Sequence, residues 1–146
     1  MYRISIPKLP KSKRPRTRKD IIKNISVIFK KYIRHRDLDH AGWTRCCTCS
    51  KPIQIKGGDI NAGHFMIDKR LATRWNERNC HAQCVKCNME GGQQYEHAKY
   101  IDKRWGEGTA AGLERDSLTS IKYFIHDLLY IENQWKQKLA ELKGVK

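Results

Sequence analysis

Four cysteines in two C-x-x-C pairs, Cys46/Cys49 and Cys84/Cys87, frame the middle of this chain with 34 residues between them. A C-x-x-C turn lets two thiolates reach one ion, and two such pairs complete the tetrahedral sulfur set that zinc favours. A zinc ion so enclosed has no open position, so its part is structural: it fixes the walls of whatever lies between. Cys47-Thr48-Cys49 is also a short pair, so Cys47 could stand in for Cys46, although two-residue spacing is the commoner geometry. Otherwise Cys47 and Cys80 read as packing or spare thiols. Between and beside the pairs stand His64, Asn79 and Asn88, a histidine and two carboxamides that could work on a phosphodiester.

The surroundings suit such a substrate. The 146 residues carry 30 Lys and Arg against 15 Asp and Glu, a net charge of +15. An excess of that size speaks to partners rather than to fold, and nucleic acid is the first candidate because neutralised phosphates release counterions. Without a lipidation motif an acidic membrane surface fits less well. No apolar run approaches the ~18 residues that span a bilayer, and the N-terminus lacks a secretory signal, so a reducing cytoplasm is expected. Six cysteines there argue for metal or catalysis rather than disulfides.

The elements that must position these groups are read less evenly. Residues 1–16 hold Pro7, Pro10 and Pro15 among many basic residues and read as an extended basic arm that could track DNA. Thr17-Arg18-Lys19-Asp20 resembles a capping box, and Ile21, Ile25, Ile28, Phe29, Tyr32 and Ile33 share one helical face, predicting a helix over 18–37. Residues 44–55 suit a small hairpin or zinc knuckle. Asp59–Ile67 suits a strand with Ile60, Ala62, His64 and Met66 on one face. Helices are expected just after Cys84 and over Gln93–Trp105, then a loop from Gly106 to Gly112. A last helix beginning at Ser117 or Thr119 carries the stripe Ile121, Phe124, Ile125, Leu128, Ile131, Trp135, Leu139 and Leu142. That stripe could pack within the domain or pair two copies as a coiled-coil homodimer.

The order His64, Asn79, Asn88, with Asn88 directly following the second cysteine pair, resembles the HNH or ββα-metal (His-Me finger) endonucleases. Phage junction resolvases of the endonuclease VII type look similar in their order of parts. A denser likeness covers residues 32–100: His35-Arg36-Asp37, Cys46-x-x-Cys49, Ala62-Gly63-His64, and Arg74 through Asn88 look like the NinG (Rap) recombination proteins of lambdoid phages. The resemblance implies a zinc-stapled HNH-like core over 41–100; with the helices read from periodicity, an N-terminal helix over 17–40 and a C-terminal helical segment over 101–146, the expected fold is α+β. It implies a branched-DNA endonuclease acting on Holliday junctions or D-loops in recombination. His64 would be the general base, Asn88 a ligand of a catalytic Mg²⁺ or Mn²⁺, and Asn79 the residue whose amide holds the histidine's strand.

One position departs from that pattern. Many HNH sites place an acid or a second histidine directly before the base, where this chain has Gly63. Asp59, Asn61 and Asp68 are nearby substitutes, and His81 is another candidate ligand. Arg70, Arg74, Arg78, Lys86, Lys99, Lys103 and Arg104 are the candidate phosphate contacts. Trp75 is either core or a stacking platform for an unpaired base. Two other readings stay open: an HNH nuclease indifferent to branches, and a non-catalytic zinc-module DNA-binding protein.

Overall fold

The computed structural model describes residues 15–145, so most of the basic arm lies outside the described residues. Helix α1 (Arg18–Arg36) opens on a complete capping box: the Thr17 hydroxyl accepts from the Asp20 N–H at 3.2 Å, and the Asp20 carboxylate accepts from the Thr17 N–H at 2.9 Å. Ile21, Ile25, Phe29 and Ile33, one turn apart, are all buried.

Their partner is the last helix, α5 (Ile125–Val145), through Leu128 and Trp135. The Trp135 ring meets Phe29 edge-on at 4.8 Å and tilts against Tyr32 at 5.3 Å. Buried Glu132 joins the two helices by accepting from Arg16 at 3.0 Å, Asn24 at 2.6 Å and Lys136 at 3.2 Å. The Arg16 bond, helped by Asn24 and Lys136 against the cost of burial, holds that carboxyl down to about 2. Packing decides the interface all the same. Six large buried side chains contribute roughly 1.5–3 kcal/mol each before entropy, against about 1–3 for a charged hydrogen bond.

Between these helices lie two small antiparallel hairpins. Strands β1 (Trp43–Arg45) and β2 (Pro52–Gln54) pair Thr44 with Ile53, and the turn between them holds Cys46 to Cys49. Strands β3 (Ile60–His64) and β4 (Cys80–Cys84) pair Ile60 with Cys84, Gly63 with His81 and His64 with Cys80. Helix α2 (Val85–Met89) follows directly, and Gly91 and Gly92, both with positive φ, turn the chain into α3 (Gln94–Trp105). Two-stranded sheets are not stable alone. Here one apolar cluster gathers Ile53, Ile60 and Ala82 around the cysteines, and another gathers Phe65, Ile101, Ala110 and Leu113 under α3.

The structure differs from the sequence reading in three places. Helix α4 (Thr109–Ser117) begins inside the stretch 106–112 where a loop or short turn was expected; Gly106 and Gly108 make the turn, and the Asp102 carboxylate accepts from Ala110 N–H at 2.8 Å. The last helix starts at Ile125 rather than near 117–119, because Asp127 reaches back to the Phe124 N–H at 2.8 Å. Strand β3 stops at His64 instead of reaching Ile67, since the Asn79 side chain takes both backbone groups of Met66 that a neighbouring strand would use. The long apolar stripe is covered in part by α1 of the same chain, which buries Leu128 and Trp135. Among the described residues no helix is long and apolar enough to cross a membrane.

Candidate functional site

The sulfur atoms of Cys46, Cys49, Cys84 and Cys87 all lie within 4.8 Å of one another, with Cys49 and Cys84 3.8 Å apart. Zn–S bonds of about 2.3 Å in a tetrahedron put sulfurs roughly 3.8 Å apart, so the cluster has the right dimensions for zinc. The supporting donors suit thiolates too. Burial would raise the Cys46 thiol, but N–H groups of Cys49 and Cys84 and the Thr48 hydroxyl outweigh it and bring it down to about 6. Cys47 lies outside the cluster, and burial pushes its thiol up, so Cys46 is the member of the first pair. These four cysteines can hold a zinc ion.

His64 ends β3 on the face turned toward α1. Its Nε2 lies 2.9 Å from the Arg74 carbonyl oxygen, which fixes Nε2 as the protonated nitrogen and leaves the lone pair on Nδ1. Nδ1 faces the Cys80 sulfur at 3.7 Å, a weak contact because a thiol is a poor donor. The ring leans on Phe29 at 5.9 Å. Burial lowers the His64 pKa; the hydrogen bond to the Arg74 carbonyl and the charge of Asp68 oppose it, the charges of Lys30 and Arg74 add to it, and the net shift is downward, so the neutral base is the resting form.

The loop that supplies the Arg74 carbonyl is tied down by Asn79, fully buried beneath it. The Asn79 oxygen accepts from the Met66 N–H at 2.7 Å, and its amide donates to the Met66 and Thr73 carbonyls at 3.0 Å each. Asn88 is exposed on α2 and makes no side-chain hydrogen bond among the described residues. The chain beyond it turns back over the histidine: a side chain built on Gly92 would come within 4.0 Å of the His64 carbonyl oxygen.

Two of the further ion ligands considered from sequence, Asp59 and His81, fall elsewhere. Asp59 lines the same cavity as Cys49, Cys84 and Cys87 at the cysteine end of the hairpin, five residues or roughly 16 Å along the chain from His64. His81 projects from the opposite face of β4, and both of its ring nitrogens are used: Nδ1 donates to His97 at 3.0 Å and Nε2 accepts from Trp105 Nε1 at 3.0 Å. Asp68, bonded to Lys30 at 3.4 Å, is the carboxylate near enough to act on His64. Among the described residues the cysteines form the sole group of three or more Cys, His, Asp or Glu placed to share an ion.

Gly63 has a steric reason. A Cβ there would lie 2.1 Å from Gln83 Oε1 and 3.1 Å from Gln83 Cβ. Gln83 is itself fully buried and donates to the Gly92 carbonyl at 2.8 Å. Gly63→Ala must displace that amide and is expected to cost about 2–3 kcal/mol in urea unfolding. Gly63→Ala/Gln83→Ala should recover part of the loss, and an unchanged midpoint in the single variant would contradict this packing.

The His81–His97 pair makes folding acid-sensitive. Burial, then the charge of Arg36, lowers His81 to about 2, and burial with the field of His64 lowers His97 to about 4. Unfolded, both titrate near 6.5 and bind protons that the folded chain refuses. Their stability is therefore whole above pH 6.5 and lost as pH falls, by roughly 3 kcal/mol between pH 7 and 5. Urea midpoints at the two pH values measure it, and His97→Gln should flatten the dependence; equal slopes would refute the assignment.

The candidate phosphate contacts scatter. Arg104 is committed to Asp37 at 2.7 Å and Tyr100 at 2.8 Å, and Lys99 pairs with Glu96 at 3.2 Å. Arg74 donates to Ser26 at 3.1 Å, while Arg70, Arg78 and Lys86 are exposed and hold no ion pair among the described residues. Trp75 is core, its Nε1 donating to Ser26 at 3.1 Å. Sequence reasoning missed His97, whose four-residue spacing to Ile101 and Trp105 marked it as inward-facing, and Gln83, which gave no signal.

The family profile described as Bacteriophage Lambda NinG protein matches residues 8–144, spanning both helices and everything between. The chain belongs to the NinG family. It is 26% identical over 125 residues to the curated Protein ninG of Escherichia phage lambda, an alignment covering 84% of this chain. The chain spans 57% of the length of that NinG relative. No solved structure matches.

Proposed function

We propose that this NinG-family chain is a metal-dependent endonuclease of the HNH type that cuts branched DNA. The observation that carries this reading is His64, neutral, fixed by a backbone carbonyl through Nε2, with the lone pair on Nδ1 opposed only by the weak Cys80 contact at 3.7 Å. In the proposed reaction Nδ1 takes a proton from water, the oxygen attacks phosphorus, and the P–O3′ bond breaks with its electron pair leaving on the 3′ oxygen. Asn79 keeps the base in place by holding the loop that carries the Arg74 carbonyl. A divalent ion, held by Asn88 and by oxygens of the substrate, would stabilise the charge on the leaving oxygen. Magnesium keeps several waters and takes few protein ligands when phosphate supplies the rest, and Asn88 would be this chain's contribution to it. Branch selectivity rests on the family likeness; the +15 charge supports DNA of any shape.

A second reading is favoured by Gly63. With no side chain before His64, the chain would be a zinc-stapled DNA-binding protein without hydrolysis. Labelled four-way, three-way and linear DNA incubated with Mg²⁺, Mn²⁺ or chelator separates the two. Metal-dependent cutting of junctions ahead of linear duplex is expected. Tight binding with no cutting in either metal would establish the second reading instead.

A further inference from the structure

A groove of about 470 Å³ runs along α1, lined by Lys19, Ile22, Lys23, Ser26, Val27 and Lys30 of that helix and by Arg74. No acidic residue lines it, and among the described residues Lys19, Lys23 and Arg74 pair with no carboxylate. Those two lysines sit one helical turn apart, and Lys19 to Lys30 covers eleven residues, about 16 Å of helix. One DNA strand places about five phosphates along that length of its axis.

The groove also has a direction. At its far end Lys30 follows Phe29, whose ring rests on His64, and Arg74 supplies the carbonyl that holds His64 Nε2. Cations spaced along a shallow trough, with Ile22 and Val27 between them for sugar carbons, suit a phosphodiester backbone better than an acidic peptide, for which the lining offers no backbone hydrogen-bonding edge.

We propose that this groove is the track for the backbone of one DNA strand, leading its phosphates toward His64. The inference rests on the DNA reading above and assigns the contact to α1, outside the cysteine-framed core from which most of the candidate contacts were drawn.

Its test is the salt dependence of binding by the full chain to a labelled 20-base-pair duplex without divalent metal. Lys19→Gln/Lys23→Gln changes two exposed side chains and should lower the slope of log affinity against log salt by roughly 1.8, a loss of roughly 50-fold at 0.1 M salt. Lys56→Gln/Lys143→Gln, two exposed lysines elsewhere, should change the slope by less than about 0.5. Equal losses in both pairs, or wild-type affinity in the first, would overturn the track while leaving DNA binding intact. A wild-type chain that fails to bind would overturn the DNA reading with it.

Discussion

Cys84→Ser should hold less than about a tenth of the zinc that the wild-type cluster takes up and melt more than about 20 °C lower. Cys84 belongs to three structures at once: it is a sulfur of the cluster, the last residue of β4, and the cap of α2, accepting from the Cys87 N–H at 3.5 Å. A structural zinc contributes on the order of 10 kcal/mol, comparable to the whole net stability of a domain. Loss of that order moves a midpoint by tens of degrees in a chain of this size. The clasp of α1 on α5 is a separate apolar cluster, so part of the helical circular dichroism should survive while the hairpins are lost. Cys47→Ser is the companion variant and should keep its zinc, because that sulfur stands outside the cluster. Metal analysis with thermal melts reads both, and a zinc-free Cys84→Ser chain with the wild-type midpoint would refute the structural role.

His64→Ala should lower the junction-cutting rate by 10²- to 10⁴-fold at saturating Mg²⁺, the span a positioned general base supplies. Affinity for uncut junction in chelator should stay within about threefold, since the ring is a proton acceptor and not a phosphate clamp. Removing it opens a gap beside Phe29 and Cys80 and leaves the Arg74 carbonyl without its donor, a cost of about 2–3 kcal/mol, so unchanged binding in chelator, measured well below the melt, would show that the loss is chemical. Cutting at the wild-type rate would remove His64 from the mechanism. Loss of binding and cutting together would make it a structural residue.

The parts of the site legible in the sequence are those written locally. The cysteine pairs are short-range geometry, and α1 announced itself by a capping box and apolar residues one turn apart. Strand β4 was not legible because Cys80 to Cys84 are buried on both faces, so no alternation marks them. Gly112 and its neighbouring glycines disguised α4, whose inward residues Ala110, Leu113 and Ser117 nevertheless keep helical spacing. Gly63 looked like a missing ligand until the register of β3 and β4 paired it with His81 and put the Gln83 side chain, diagonal to it, where a Cβ would go. Arg104 looked like a free cation because its partner, Asp37, lies 67 positions away.

The Phe29 ring touches both His64 and Trp135, and this has a consequence in time. Phe29 and Trp135 are 106 positions apart, so during synthesis at about 5–20 residues per second the ring waits roughly 5–20 s for its cover. The cysteine frame is complete at Cys87, well before that. A nascent chain therefore owns its metal frame early and its seated histidine late, and a ribosome stalled before residue 135 would carry the frame without the finished base.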